Sequence, residues 1–243
     1  MSTSLFREAL LAVMDEKDHW AWPQFARGQV PLPQLLPHFA REWEVYVRDF
    51  PVLLARVLGH GPPAAVREAL AANLYEEQTG GISRSRPHPA LFLEMMRGCG
   101  YDPALFERVA LPPAARRYRD FLDRMSWDPP WQRGAAVLTL FVEGSANERR
   151  ALEAPACARS AEELERAVRN HPLVRVHGVD PGAMALTRVH LEVEGGHRTD
   201  AWASVLGFTP DSLAPAISDA MRQALSLWLA YRDEVALACG LSR

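Results

Sequence analysis

Residues 183–206 read AMALTRVHLEVEGGHRTDAWASVL, and the three- and four-residue spacing of their apolar side chains predicts a helix over the whole stretch. At about 100° per residue, His190, Glu194 and His197 fall within an arc of roughly 60°, so one helix face carries two imidazoles and a carboxylate. That is a ligand set suited to iron, zinc or manganese. Gly195 and Gly196 each cost ~1 kcal/mol relative to alanine inside a helix. Helix stability therefore does not explain the pattern, and small residues here would make room for a substrate, oxygen or a facing helix. The triplet alone reads equally as a solvated or hydrogen-bonded helix face, so ligands from other helices have to separate the two readings.

The same periodicity runs through most of the chain, and β-branched runs bounded by turns are scarce, which predicts an all-α protein. Helices are expected at 4–16, 32–58, 63–78, 88–98, 112–126, 131–153, 160–170, 183–206 and 210–240. Pro51 removes a backbone donor and should kink or split the segment 32–58 after Asp49. Gly59-His60-Gly61-Pro62-Pro63, Gly98-Cys99-Gly100 and Pro129-Pro130 divide neighbouring helices. There is no internal repeat, low-complexity tract or long linker, so residues 1–243 are expected to form one domain.

With 243 residues, 48% of them hydrophobic, the chain can bury a full core. Charged residues make up 23% and the formal net charge is -3, which argues against a nucleic-acid or anionic-membrane partner. Cys99, Cys157 and Cys239 fit neither a disulfide framework nor a thiolate zinc site, and a reducing cytoplasm is the expected location. The opening MSTSLFREALLAVMDEKDHW lacks the pattern of a secretory signal, and no run is apolar enough to span a membrane. Lys17 is the sole lysine, which excludes lysine chemistry almost everywhere.

Four further segments offer ligands. Glu143 follows the apolar run AAVLTLFV, where an unpaired carboxylate is costly to bury; it either binds a metal, pairs with an arginine or sits at the core rim. In NLYEE, the stripe Val66, Leu70, Leu74 turns Glu76 or Glu77 inward. His88 precedes Pro89 at the start of HPALFLEMM, a capping position as well as a candidate ligand. Glu42 and Glu44 lie in FAREWEVYV among Phe39, Trp43, Tyr46 and Val47, so at least one approaches the apolar side. His and Glu from several helices are how bundles build dinuclear carboxylate sites. The matched Glu-x-x-His pairs of ferritin-like proteins are not present in a suitable arrangement, which favours another bundle.

In this order, the motifs resemble those of the haem-oxygenase-like diiron oxidases and oxygenases. The stretch HWAWPQFARGQVPLPQLLPHF is similar to the opening of the wider superfamily of TenA proteins and the pyrroloquinoline-quinone synthase PqqC. The resemblance implies a seven-helix, haem-oxygenase-like (TenA/PqqC-like) bundle. It also implies two Fe2+ ions held by Glu42, Glu76, His88, Glu143, His190, Glu194 and His197, with O2 as cosubstrate and Glu143, His190, Glu194 and His197 at the centre of catalysis. Glu194 stands where Asp is usual, and the adjacent pairs Glu42/Glu44 and Glu76/Glu77 are chemically interchangeable. The implied activity is N-oxygenation or oxidative C–C or C–N chemistry on a small amine or amino-acid-like substrate. Such relatives serve specialised metabolite biosynthesis, take electrons from an external donor and commonly dimerise. One branch uses a lysine near the third-helix ligand, and Lys17 lies far from that segment in the sequence. Arg41, Arg48, Arg188 and Arg198 are candidates to anchor a substrate carboxylate. The rival readings are a metal-free TenA- or PqqC-type enzyme and a non-catalytic helical binding protein.

Overall fold

Amphipathic periodicity becomes a helical bundle in the computed structural model, which describes residues 1–153 and 159–243 except for the side chains of Glu194 and Gly195. Among the described residues every regular element is a helix. Those that build the bundle are α1 (Thr3–Asp15), α2 (Leu36–Glu42), α3 (Phe50–Gly59), α4 (Ala64–Thr79), α5 (His88–Gly98), α6 (Pro113–Trp127), α7 (Trp131–Ala135), α8 (Ala161–Asn170), α9 (Ala185–Gly207) and α10 (Ala214–Ala238). Short helices such as Trp22–Ala26 and Glu148–Glu153 join them. The expected ligands Glu194 and the cysteine Cys157 fall on side chains or residues outside the described set.

Helix α10 is the spine. It packs against α1, α2, α6 and the segment after α7, burying Ile217, Met221, Ala224, Trp228 and Tyr231. Each large apolar side chain so buried contributes about 1.5–3 kcal/mol, and the stacked Tyr118 and Tyr231 rings, 5.7 Å apart, lock α6 to α10. No helix among the described residues is long and apolar enough to cross a membrane.

Two departures from regular α-geometry shape the interior. Helix α2 continues as a π-helical turn over Trp43–Val47, closed by Arg48 N donating to Trp43 O at 3.0 Å, and α7 continues as a π-helix over Ala136–Val142. Such widened turns insert an extra residue and recur at functional sites. The chain then breaks at Asp49 (φ -109, ψ 7), with Pro51 in the first turn of α3, where proline chemistry predicts it.

The expected single helix over 131–153 is corrected. It stops at Val142 and restarts at Glu148. The Lys17 ammonium, on the α1 side, donates to the carbonyls of Phe141, Val142 (3.3 Å) and Gly144 (2.6 Å), satisfying acceptors that would otherwise need the next helical turn. A Cβ on Gly144 would lie 2.2 Å from Leu140 O, so only glycine permits this close turn.

Candidate metal centre

The last turn of α4 sets adjacent carboxylates on different courses, because consecutive helical side chains diverge by about 100°. Glu76 is fully buried (0% exposed). Its Oε2 accepts from the amides of Ile82 (2.8 Å) and Ser83 (3.0 Å), and its Oε1 accepts from the Ser83 hydroxyl. Gly80, at φ +67, ends α4 in the left-handed conformation that brings those amides back. Burial raises the Glu76 carboxyl, but these donors and His88 outweigh it and hold it below the ordinary carboxylate range. Glu77 is left to face the interior, beside the imidazoles.

His88 is the first residue of α5 and is buried. Its Nε2 lies 3.2 Å from Glu76 Oε1. Its Nδ1 lies 2.9 Å from Glu77 Oε1, yet this buried nitrogen has no hydrogen bond of acceptable angle. Burial lowers the His88 pKa, and the two carboxylates more than reverse it, so the net direction is up. Helix α9 brings His190 to the same place, its ring centroid 5.1 Å from that of His88. One donor atom each from Glu77, His88 and His190 lies within 4.8 Å of the others.

Around this trio lies a cavity of about 250 Å³ lined by Glu77, His88, Glu143, His190 and His197 together with apolar side chains. Glu143 enters at the end of the π-helix, held by Asn73 Nδ2 donating to its Oε1 at 2.7 Å. Asn73 is one helical turn before Glu77 on α4 and buried. His197 stands two turns beyond His190 on α9, and its buried Nε2 has no hydrogen-bond partner among the described residues. Burial pushes His190 down to about 4 and also lowers His197, leaving both as the neutral imidazoles that a metal requires.

The expected ligands thus divide. His88, Glu143, His190 and His197 line one cavity, joined by Glu77. Glu76 stands behind His88, tied to the 80–86 loop. Glu42 lies apart: its Oε1 accepts from Arg232 Nη1 at 3.0 Å, and its Oε2 is 3.6 Å from His38 Nε2. Arg232 in turn is only 1% exposed and sits 4.2 Å over the Trp22 ring. Glu44 pairs with Arg48. The candidate arginine anchors are also engaged: Arg41 with Glu234 O, Arg48 with Glu44 and Asp49, Arg188 with Glu165, and Arg198 with Glu148.

Besides Asn73, two supporting residues carry no motif in the sequence. Buried Glu148 accepts from Ser145 N (3.0 Å), Arg198 Nε (3.0 Å) and Trp202 Nε1 (3.1 Å), stapling the turn after Glu143 to α9 beside His197. Lys17, distant in sequence, is corrected to a neighbour of the Glu143 turn. The room expected beside Gly196 serves no facing helix, since a Cβ there meets nothing within 4 Å.

The donor set fits iron: imidazoles and carboxylates from three helices and the π-helix end converge on one buried cavity, and among the described residues two of the imidazole nitrogens there have no well-formed hydrogen bond. Burial pushes the Cys99 thiol up to about 11 and raises Cys239, which leaves neither as a ready nucleophile.

Residues 37–229 match the family model described as iron-containing redox enzymes, and the chain belongs to that family. Among solved structures, it is similar to a TenA homologue from Pseudomonas syringae pv. tomato, with a TM-score of 0.62 over 97% of this chain and 91% of that one at 12% identity. That likeness establishes the haem-oxygenase-like, TenA/PqqC-like helical fold. No curated protein matches the chain in sequence.

Proposed function

We propose that this chain is a non-haem diiron oxidoreductase that uses O2 to oxidise a small amine or amino-acid-like substrate, by N-oxygenation or by oxidative C–C or C–N chemistry. The observation that carries this reading is the convergence of Glu77, His88 and His190 within 4.8 Å, with Glu143 and His197 on the walls of the same cavity. Bound ferrous ions would supply the reduction of O2, with electrons renewed by an external donor.

The chain's own residues have separable parts. Glu77, His88 and His190 would form one set of ligands, and Glu143 and His197, which line the same cavity, would serve the second ion. Glu76 fixes the His88 ring by hydrogen bonding to Nε2, which leaves Nδ1 for the metal. Asn73 orients Glu143 in the same way. Val142, Val193, Leu186 and Phe50 line the remaining wall and limit the access of water, which strengthens each charge interaction inside.

The test is oxygen uptake by protein loaded anaerobically with ferrous ion, across a panel of amines and amino acids. At least one should accelerate uptake well above that of the loaded protein alone. If no compound does so, and ferrous ion consumes oxygen at the same rate with or without the protein, the reading is wrong.

A further inference from the structure

Beside the metal-facing cavity is a second of about 630 Å³, and the two share Tyr46, Val47, Leu186 and His190. Its volume is in the range of small-molecule sites. Phe25, Val30, Leu35, Phe39, Phe92 and Leu173 give it an apolar, aromatic body. Among its described lining residues there is no lysine or arginine, and Glu42 is the one carboxylate.

The charge arrangement around Glu42 decides what this cavity can hold. Arg232 is sealed behind it, 1% exposed, with Nη1 committed to Glu42, Nη2 to His38 Nδ1 and its face to Trp22. The guanidinium cannot turn to a ligand without abandoning these partners. Glu42 is 19% exposed; its carboxylate also accepts from the Tyr46 hydroxyl, and Oε2 has His38 at 3.6 Å, beyond hydrogen-bonding distance. A carboxylate offers about four acceptor sites, so the bonds from Arg232 and Tyr46 leave Glu42 able to accept another, and the charged acceptor lining the cavity is an anionic oxygen. Burial pushes His38, the imidazole beside Glu42, down to about 4 and lowers His171, so neither of these adds a positive charge at neutral pH.

We infer that this cavity binds the substrate as an apolar primary amine without a carboxylate, its ammonium donating to Glu42 Oε2 and its hydrocarbon body lying among Phe25, Phe39 and Phe92. This rests on the proposed amine oxidation and narrows it, since an amino acid would bring a carboxylate to a cavity that offers no cation. It also gives Glu42 a part in substrate recognition in place of metal ligation. A charge-assisted hydrogen bond is about twice as strong as a neutral one, and the aromatic walls attract a cation further.

The experiment is calorimetric titration of the full chain, freed of metal by chelation, with 4-phenylbutylamine, 4-phenylbutan-1-ol, 4-phenylbutanoate and 2-amino-4-phenylbutanoate. The amine should bind at least tenfold more tightly than each of the other three, and Glu42→Gln should erase that preference. Removing the carboxylate leaves Arg232 buried and unpaired, which can unfold the protein. The double variant E42Q/R232M, which removes both charges and keeps the volume, should likewise bind amine and alcohol equally. Equal or tighter binding of the carboxylate or alcohol by the unaltered chain, or an amine preference that survives in the double variant, overturns the inference. Because the titration uses metal-free protein, a chain that prefers the amine and holds no iron would sink the diiron reading alone, and the converse result would sink only this one.

Discussion

The Glu77 carboxylate stands 2.9 Å from His88 Nδ1, an ion pair whose angle falls short of a well-formed hydrogen bond. The two groups form a close ion pair, and together with His190 they bring three donor atoms within 4.8 Å of one another. Glu76, the adjacent residue, holds the other nitrogen of the same ring and spends its remaining lone pairs on the 82–83 backbone and the Ser83 hydroxyl.

That division of labour separates two conservative substitutions. Glu77→Gln should remove a ligand and lower iron content to below half of the unaltered level. Glu76→Gln keeps the cavity's donors but turns an amide toward the Ile82 and Ser83 N–H groups, and should weaken iron binding about 10–100-fold. Iron titration monitored by metal analysis checks both, and equal losses in the two variants would contradict the assignment.

Glu76 also sets an acid limit. Its folded pKa lies below the ordinary 4.5, so its contribution is fully present above that value and is lost as pH falls through the lower folded value. Urea denaturation of the metal-free protein should show stability falling below about pH 4.5, and the part due to Glu76 should be missing from Glu76→Gln.

Lys17 anchors the turn that presents Glu143. Burial pushes its pKa down to about 7, while three backbone carbonyls call for all three protons of the ammonium. Lys17→Met leaves those buried acceptors unsatisfied and should cost about 2–4 kcal/mol, read from the midpoint of urea unfolding. A change within about 0.5 kcal/mol would show that the lysine merely fills space.

Gly196 is exposed and helical, with open space where a Cβ would go. Gly196→Ala should therefore stabilise the protein by about 1 kcal/mol, raising Tm by about 2–4 °C for a chain of this size. A lower Tm would mean that this glycine has a packing or conformational task.

The helical class and the break at Asp49 were legible, because helical periodicity and proline chemistry are local, and the four candidates His88, Glu143, His190 and His197 picked out from the sequence line one cavity. The choice between Glu76 and Glu77 was not legible, since both share the same chemistry and a loop six and seven residues later decides it. Glu42 reads as a candidate ligand from its neighbours alone, and the pairing of one of its oxygens with Arg232, 190 residues away in sequence, is invisible at that range. The π-helices at Trp43–Val47 and Ala136–Val142 lie outside any 3.6-residue pattern. The break after Val142 depends on a lysine 124 to 127 residues earlier. Local pattern names the candidate donors, and long-range pairing decides which of them face one another.

The most direct measurement is the iron content of the purified chain after anaerobic loading with ferrous ion and removal of the excess, taken beside His190→Ala. The unaltered protein should retain close to two irons per chain and the variant should retain almost none, with both showing the same helical circular dichroism. Retention of no iron by the unaltered protein, or equal retention by a folded His190→Ala, would contradict the metal centre built on Glu77, His88 and His190.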